Sequence, residues 1–541
     1  METITIVLFL LLAVVVSGVL SRAIPVSLPR PLFQIALGGL IGLVADWRVT
    51  LDPEIFFLLF LPPLLFLDGW RIPRDELFRD ARTVLGLALG LVIVTVLGMG
   101  FFIHWLIPAM PLAVAFALAA IVSPTDPIAV SAIAQRTPIP GRMMHILEGE
   151  SLLNDASGLV CFRFSVAAAL TGGFVLGDAA LSFLWVALGG LAVGVGITWA
   201  VSRAKTWVAR RYGEDGGTQI LVSLLIPFGS YLVAEHLHCS GILAAVAAGV
   251  TMGFVETSGE LAAATRIRRS TVWDMIQFAA SGVIFVLLGE QLPLILRGAA
   301  ETVYSSGHYQ TWWLGIYIVA IMSGLVLMRF AWVWLSLKLT LARGAKAVAA
   351  PWRIVAAMSF AGVRGAITLA GVLTLPLTLG DGSPFPARDL AIFLAMGVIV
   401  ASLLIASVAL PPLLRGLRMP AEPSRMAEED AARIAAAQAA IRAIAETEHQ
   451  MPADHPDADL YMATGARLLD LYHDRIERRQ GEPDDRASDR RAEKIERNLR
   501  LVALKAERAE VFRMVRKRML GGATARRLIR ELDLLEARYA G

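Results

Sequence analysis

Cysteine is nearly absent from this chain of 541 residues, which contains only Cys161 and Cys239. Because the two lie in apolar segments far apart in the sequence, they predict neither a disulfide framework nor a cysteine-based metal site. Charged residues are also scarce, at 18% of the chain, whereas 56% of the residues are hydrophobic and the mean hydropathy is +0.63. This composition excludes an ordinary soluble globular protein.

The sequence contains long apolar runs, and thirteen of them have the length of a membrane-spanning helix. They lie near residues 3–21, 31–46, 53–70, 83–107, 111–135, 143–172, 179–202, 217–237, 241–255, 271–296, 311–337, 351–378 and 389–414. The sequence therefore predicts an all-α polytopic membrane protein with about thirteen transmembrane helices.

Basic residues between the runs predict the orientation of the chain. Loops after odd-numbered runs are rich in arginine and lysine, as in residues 71–82 and 203–211, while loops after even-numbered runs contain only Arg48, Arg297 and Arg388. Arginine and lysine favour the cytoplasmic side of a membrane. We therefore expect the N-terminus outside, the C-terminus in the cytoplasm, and a location in the cell (inner) membrane.

An odd number of spans with opposite termini suits two inverted six-helix repeats joined by a seventh helix, which is a transporter architecture. In such proteins the site lies where a pair of discontinuous helices cross. The fifth run contains SPTDPIAV, and its counterpart in the second repeat, the twelfth run, contains SFAGVRGAITLAG. Proline in the first segment and glycine in the second predict a broken helix in each.

The sequence changes character after residue 418. Residues 419–541 are rich in charge and alanine and predict a cytoplasmic helical tail, after a transmembrane domain at residues 1–418. The tail is expected to be regulatory or dimerising and could bind a regulator of unknown identity. The sequence pI is about 9.2. Basic residues at cytoplasmic helix ends account for much of this value, so no nucleic-acid partner is expected.

GESLLNDASG, at residues 149–158, places acidic and amide groups inside the sixth run. A carboxylate at membrane depth is costly and is by default a functional candidate, which makes Asp155 the first choice for a site. Ser151 lies one helical turn before Asp155, and Asn154 immediately precedes it. Burial disfavours the charged carboxylate, so Asp155 could bind either a proton or a cation such as Na⁺, and competition between them suffices for exchange.

The two predicted breaks each hold a charged residue, Asp126 in the first and Arg364 in the second. An acid near half-helix N-termini and a guanidinium near C-termini would neutralise the helix dipoles there. Asp126 could instead be a direct cation ligand, and Thr125 is a plausible ligand beside it. Glu150 lies about 140° around the helix from Asp155, and we expect it to form a structural ion pair with Arg364.

Further charged residues lie in or near the spans. Asp68 follows the double proline of FLPPLLFLDGW and could line a cytoplasmic funnel or merely cap the end of its span. Arg163 is expected to pair with an acid on a neighbouring helix. No partner is assigned to Arg329, Glu235 or Glu290.

SPTDPIAV, LEGESLLNDASGLV and AGVRGAITLA, in this order, resemble the monovalent cation:proton antiporters, in particular the Na⁺/H⁺ exchanger branch that includes the bacterial NhaP-type proteins. The likeness spans residues 5–415. It implies thirteen spans, a homodimer and an elevator-like movement, with Asp155, Asn154, Ser151, Thr125 and Asp126 at the site. It also implies electroneutral one-for-one exchange, which accompanies an Asn-Asp pair, and the Glu150–Arg364 pair. No cofactor is expected. The expected partners are the second chain of the homodimer and membrane lipids, and the ions are transported.

One departure from the resemblance concerns Asp68. Relatives place an acid four positions after the double proline, where this chain has Leu67, and one residue turns a side chain by about 100°. Asp68 is therefore not included among the predicted ligands and is kept as a possible funnel acid.

Three alternatives to Na⁺ or Li⁺ exchange remain. The first keeps the fold and exchanges K⁺ for protons, since the predicted ligands do not separate these cations. The second is an intramembrane aspartyl protease with Asp126 and Asp155 as its dyad, but the YD and GxGD motifs of such enzymes are absent around both residues. The third is a non-transporting ion sensor that signals through its tail. The sequence therefore favours a transporter over an enzyme.

Overall fold

The computed structural model divides the chain into two compact units, Met1–Arg418 and Met419–Gly541. This division falls where the composition changes. The structure describes residues 2–24, 28–44, 53–71, 84–127, 130–131, 139–171, 176–213, 215–256, 263–305, 312–342, 351–379, 382–415, 423–450, 458–480 and 483–540.

The described part of the first unit consists of helices joined by short non-helical segments, with one isolated bridge between Thr378 and Pro384. Its helices are α1 (Glu2–Ala23), α2 (Arg30–Val44), α3 (Pro53–Arg71), α4 (Val92–Leu106), α5 (Leu112–Val122), α6 (Gly141–Thr171), α7 (Leu176–Tyr212), α8 (Gly216–His236), α9 (Gly241–Glu256), α10 (Ala263–Ser305), α11 (Trp313–Ala342), α12 (Pro351–Phe360), α13 (Ala366–Leu373) and α14 (Arg388–Leu414). A π-helical segment, Gly86–Leu91, leads directly into α4.

Eight helices of the described chain are long and apolar enough to cross a membrane, judged by length and composition. They are α1, α4 with its π-helical segment, α6, α7, α8, α10, α11 and α14, while α2, α5 and α9 are shorter apolar helices. The predicted class, an all-α polytopic membrane protein, is confirmed. Each of the thirteen predicted spans overlaps described helices, and the number thirteen itself stays a prediction.

Helix α10 is much longer than the run from which it was predicted. It covers Ala263–Ser305, whereas the apolar run covers residues 271–296. Arg269, expected in a loop, is therefore helical, and its buried guanidinium pairs with Glu256 at the end of α9. Ion pairing and contact with the Trp70 ring, 5.2 Å from the guanidinium carbon, explain why the helix continues through a basic stretch.

The two predicted interruptions are present. Helix α5 ends at Val122, and residues 123–126 are not helical. Helix α12 ends at Phe360 and α13 begins at Ala366, so residues 361–365 form the second break. Proline in the first break and glycine in the second are the residues that interrupt a helix most readily.

Close helix packing in the first unit depends on glycine. Helices α2 and α10 approach so closely that a Cβ atom on Gly38 would lie 1.9 Å from the carbonyl oxygen of Val286. A Cβ on Gly289 would lie 2.0 Å from the carbonyl oxygen of Ile35. Small residues at such crossings are typical of membrane helices, whose association depends on close van der Waals contact.

The second unit contains four helices, α15 (Pro423–His449), α16 (Ala458–Gln480), α17 (Pro483–Arg516) and α18 (Gly522–Ala540). Arg479 of α16 pairs with the largely buried Asp430 of α15 at 3.2 Å. Arg508 of α17 pairs with Asp533 of α18 at 2.7 Å. These pairs connect successive antiparallel neighbours within the unit.

Candidate functional site

A small cavity lies where α3, α6, α10 and the two breaks come together. It leaves about 20 Å³ for the centre of a water-sized sphere, which is room for one or two waters or a single ion. Its polar lining comes from Asp68, Thr125, Asp126, Ser151, Asp155, Ser281 and Thr368. Five of these residues were predicted from the sequence, whereas Ser281 and Thr368 were not.

Asp155 is buried on α6, with 4% of its surface exposed, and its side chain lines the cavity. Ser151, one turn earlier on the same helix, lies with its hydroxyl 3.5 Å from Oδ2 of Asp155. This distance is at the outer limit of a hydrogen bond. Ser151 therefore constrains the carboxylate weakly, and both side chains offer oxygen atoms to the same cavity.

Asn154 has a different position from the one its place in the sequence suggested. Its amide nitrogen donates to the hydroxyl oxygen of Thr125 at 3.0 Å, and Asn154 is not among the residues that line the cavity. Thr125 does line it, from the first break. Asn154 thus links α6 to that break and holds Thr125 in place beside Asp155.

The two breaks contact each other through their backbones. The amide of Asp126 donates to the carbonyl of Val363 at 2.7 Å. The carboxylate of Asp126 lies against Gly365, where a Cβ atom would be 1.8 Å from Oδ2. Since Gly365 immediately precedes α13, Asp126 lies at the positive end of that helix dipole.

Arg364 lies at the opposite kind of helix end. Its Nε donates to the carbonyl of Val122 at 2.8 Å, and Val122 is the last residue of α5. A second guanidinium nitrogen donates to the carbonyl of Gly362 in its own break. The positive charge of Arg364 therefore stabilises the C-terminus of α5, where partial negative charge collects.

The predicted pairing of Glu150 with Arg364 is wrong, because Glu150 pairs with Arg329 of α11. Both carboxylate oxygens of Glu150 accept from the guanidinium, one of them at 2.7 Å, and the two residues are 1% and 3% exposed. Nε of Arg329 also donates to the carbonyl of Met358 at 2.9 Å, in the last turn of α12. Each broken helix thus has an arginine at the C-terminus of its first half.

The reason for this error lies in the tertiary packing. Helical spacing showed correctly that Glu150 and Asp155 point in different directions, but it carried no information on which arginine would approach Glu150. The available signal was a second arginine at mid-span, Arg329, that needed a buried acid. That requirement alone did not decide between the two arginines.

Asp68 lies in the cavity lining despite its one-residue displacement from the family pattern. Leu67, at the usual position of the acid, is buried in a cluster with Phe66 and Trp273. The 100° rotation between neighbours therefore brings Asp68, rather than position 67, to the site. Asp68 therefore offers its carboxylate to the same cavity as Asp155, and its role in a cytoplasmic funnel stays a prediction.

Arg163 pairs with an acid on a neighbouring helix, as predicted, and that acid is Glu235. Their side chains lie 3.0 Å apart and are 40% and 36% exposed, so this pair joins α6 to α8 at a partly exposed location. Glu235 also accepts from the backbone amide of Gly241 at 3.3 Å. Glu290 is buried on α10, away from the cavity lining.

Residues 7–416 match the family profile described as "Sodium/hydrogen exchanger, transmembrane". Among curated proteins, the chain is 42% identical to an uncharacterized Na⁺/H⁺ exchanger of Escherichia coli K12, YjcE, over 99% of both chains. It is 43% identical to a sodium, potassium, lithium and rubidium/H⁺ antiporter of Bacillus pumilus over 76% of this chain and 61% of that protein.

A solved structure has a related fold. The chain resembles the sodium proton antiporter MjNhaP1 from Methanocaldococcus jannaschii, determined at pH 8, with a TM-score of 0.59. The alignment covers 77% of this chain and 99% of that structure, at 20% sequence identity. At this identity the likeness concerns the fold.

Proposed function

This chain belongs to the sodium/hydrogen exchanger family, and from that premise we propose that it exchanges Na⁺ or Li⁺ for protons, one for one, across the cell membrane. The family is one of transporters and not of enzymes, which removes the protease alternative. The observation that carries the proposal is the small cavity in which carboxylates and hydroxyls from α3, α6, the first break and α13 converge.

Competition at Asp155 supplies the exchange chemistry. A hard monovalent cation requires oxygen ligands, and Asp155, Ser151, Thr125 and Asp126 offer carboxylate, hydroxyl and backbone oxygens around a space of ionic size. A proton on the Asp155 carboxylate removes the charge that attracts the cation. The site then holds either a proton or a cation, and each change of the site from one side of the membrane to the other transports one of them.

The net charge of the moving site supports electroneutral exchange. Asp126 lies at the N-terminus of α13, Arg364 at the C-terminus of α5, and Glu150 is paired with Arg329, so these fixed charges have local compensation. Asn154, next to Asp155, is neutral. Asp68, which also lines the cavity, is taken to keep one charge in both loaded states. Asp155 is then the carboxylate whose charge alternates between proton-bound and cation-bound states, and both loaded states carry the same charge.

The remaining features of the proposal come from the resemblance and the charge pattern. Thirteen spans would form two inverted repeats, with the two contacting breaks as their crossing point, and two chains would form a homodimer. The N-terminus would lie outside and the tail in the cytoplasm. Alternating access would move the cavity from one side of the membrane to the other.

Potassium is the second candidate cation. It is favoured by the two relatives at 42–43% identity whose names include sodium, potassium, lithium and rubidium, from Bacillus pumilus and Bacillus subtilis. All of the predicted ligands are oxygen atoms, and this type of ligand alone does not separate the cations. The transport rate must therefore be measured with each cation separately to determine the selectivity.

The test is dissipation of a pH gradient in proteoliposomes after addition of Na⁺, Li⁺ or K⁺, at several clamped membrane potentials. Native protein is compared with Asp155→Asn and with Asp389→Asn, an equally conservative change at a half-exposed carboxylate outside the cavity. We expect Asp155→Asn to abolish the response, Asp389→Asn to retain it, and the native rate to be independent of potential. Normal exchange by Asp155→Asn would refute the assigned site.

Competition also fixes the sign of the pH dependence. As the pH falls, protons occupy more Asp155 carboxylates, so the cation concentration for half-maximal transport rises while the maximal rate stays constant. Once the site is mostly protonated, we expect about a tenfold rise for each further pH unit. A half-maximal concentration that is independent of pH would show that cation and proton do not share a site.

A further inference from the structure

Helix α17 has an apolar stripe on its exposed side. Ile495, Leu499 and Val502 are 55%, 64% and 66% exposed, although all three are strongly apolar. Ala492, Ala506 and Ala509 extend the stripe and are exposed as well. The six residues follow one another at intervals of 3, 4, 3, 4 and 3, which is the spacing of a coiled-coil seam.

This stripe is separate from the face that α17 uses within its own chain. Leu504, which is buried, lies about 200° around the helix from Val502. Arg508, also away from the stripe, pairs with Asp533 of α18. Helix α17 therefore presents one apolar face to its own unit and a second apolar face that no described element of that unit covers.

The heptad assignment follows from the intervals. Ala492, Leu499 and Ala506 occupy a positions, and Ile495, Val502 and Ala509 occupy d positions. The flanking g positions are then Arg491, Asn498 and Lys505, and the flanking e positions are Glu496, Ala503 and Glu510. The charged g residues are all basic, and the charged e residues are all acidic.

The charges distinguish between the two orientations in which a second α17 could pair. In a parallel pair, a g residue faces the e residue five positions later on the other helix, which brings Arg491 to Glu496 and Lys505 to Glu510. In an antiparallel pair, g faces g and e faces e, so like charges would meet. The pattern is self-complementary in the parallel orientation.

Both acids lie on the exposed surface of the helix. Glu496 pairs with Arg500 at 2.5 Å, and Glu510 pairs with Arg513, within the same helix. The hydrogen bond from Arg513 holds the pKa of the Glu510 carboxyl below its usual range. The charge of Glu510 is therefore present at neutral pH.

We propose that the seam from Ala492 to Ala509 pairs, parallel and in register, with the same seam of a second copy of this chain. The tail would then associate two copies through α17, with both tails on the same side of the membrane. This association rests on the homodimer of the proposed function and adds to it a contact between the tails, which does not depend on which cation is exchanged. Leucine at a and β-branched residues at d also suit four strands, so the number of copies is read separately, by the mass of the purified complex.

The test uses cysteine cross-linking of the full-length protein in membranes, after replacement of Cys161 and Cys239 by alanine. Ala492→Cys lies at one end of the seam, and Lys494→Cys, two residues later and about 200° away, is its matched exposed control. Under mild oxidation we expect Ala492→Cys to form disulfide-linked dimers and Lys494→Cys to form several-fold fewer. Maleimide labelling checks that both cysteines are reactive in the presence of denaturant.

The position at the end of the seam makes the orientation testable. In an antiparallel pair Ala492 would face Ala509, so Ala492→Cys would not link to itself but would link to a co-expressed Ala509→Cys. That result would overturn the parallel arrangement. Equal linking of Lys494→Cys would indicate random collision and would also overturn it. Protection of Ala492→Cys from maleimide without any dimer would show that another surface covers the seam.

Charge variants supply a second measurement in the Ala492→Cys background. Lys505→Glu with Arg491→Glu gives acidic residues at both flanks, and we expect it to reduce the dimer yield several-fold. Adding Glu496→Lys and Glu510→Lys restores opposite charges in the parallel orientation, and the yield should recover. Failure of the four-residue exchange to recover what the two-residue change removes, while the protein folds and transports, would refute the pairing of g with e.

Discussion

Helix α6 carries two buried carboxylates with opposite surroundings. Glu150 is 1% exposed and receives two hydrogen bonds from the Arg329 guanidinium, whereas Asp155 is 4% exposed and lies 3.5 Å from the hydroxyl of Ser151. Only about 140° of helix rotation separates the two side chains. One of them is neutralised by a fixed partner, and the other lines a cavity of ionic size.

The difference shows that burial by itself does not identify a transport site. An acid with a fixed buried counter-charge has no reason to bind a mobile ion, and its removal mainly costs stability. An acid beside a cavity, with weak internal partners, can exchange one bound ion for another. The comparison therefore supports a structural role for Glu150 and the variable charge that we propose for Asp155.

Glu150 and Arg329 should show the largest effect on stability. Breaking a buried ion pair by removal of one partner typically costs about 3–5 kcal/mol. We expect Arg329→Gln to lower the melting temperature of the purified protein sharply, while Asp155→Asn leaves it nearly unchanged. Thermal unfolding in detergent, followed by tryptophan fluorescence, measures both variants.

A double variant separates the charge from the side-chain contacts. Arg329→Gln combined with Glu150→Gln leaves no uncompensated charge, so it should be more stable than Arg329→Gln alone. If Arg329→Gln were as stable as the native protein, the distinction between the two carboxylates would lose its basis. Transport is measured alongside, because a stable double variant retains the Asp155 site.

Sequence reasoning reached the helices, the two breaks and most of the cavity lining because these depend on local features. Apolar run length, proline in SPTDP and glycine in AGVRG act within a few residues. The partner of Glu150 and the contribution of Ser281 depend on which helix packs where, and no local pattern encodes this. Asp68 falls between the two cases, since helical spacing gave its angle to Leu67 but not which of them faces the cavity.

Gly365 offers a way to disturb the Asp155 side of the comparison without touching Asp155. A Cβ at this position would lie 1.8 Å from a carboxylate oxygen of Asp126, so Gly365→Ala must displace that side chain or separate the two breaks. Overpacking of this kind typically costs about 1–3 kcal/mol. We expect a large loss of transport rate with only moderate loss of stability.

Gly217→Ala is the matched control, since a Cβ there meets nothing closer than 3.7 Å. It should leave transport within about twofold of the native rate, as expected for a surface change. If Gly365→Ala transported normally, the position of Asp126 would have no influence on the site. Both rates come from the proteoliposome assay.

Thr125 tests the link between the site and Asn154. Thr125→Val removes the hydroxyl that accepts from the Asn154 amide at 3.0 Å and leaves a buried amide unsatisfied, which typically costs about 1–3 kcal/mol. Thr125→Ser keeps the hydroxyl and should retain most of the stability. We expect Thr125→Val to raise the cation concentration for half-maximal transport, because it also removes an oxygen from the cavity. Equal values for the valine and serine variants would exclude a role for the hydroxyl.

Arg163 and Glu235 provide the smallest expected effect and the sharpest contrast with Glu150 and Arg329. Their side chains also form an ion pair, at 3.0 Å, but 40% and 36% of their surfaces are exposed. Ion pairs with access to polar surroundings typically contribute about 0–1 kcal/mol, because solvent screens the attraction. Arg163→Gln should therefore shift the melting temperature far less than Arg329→Gln, although both changes break an arginine–glutamate pair of α6. A shift as large as that of Arg329→Gln would mean that exposure does not separate the two pairs, and the structural role of Glu150 would then need another cause than burial.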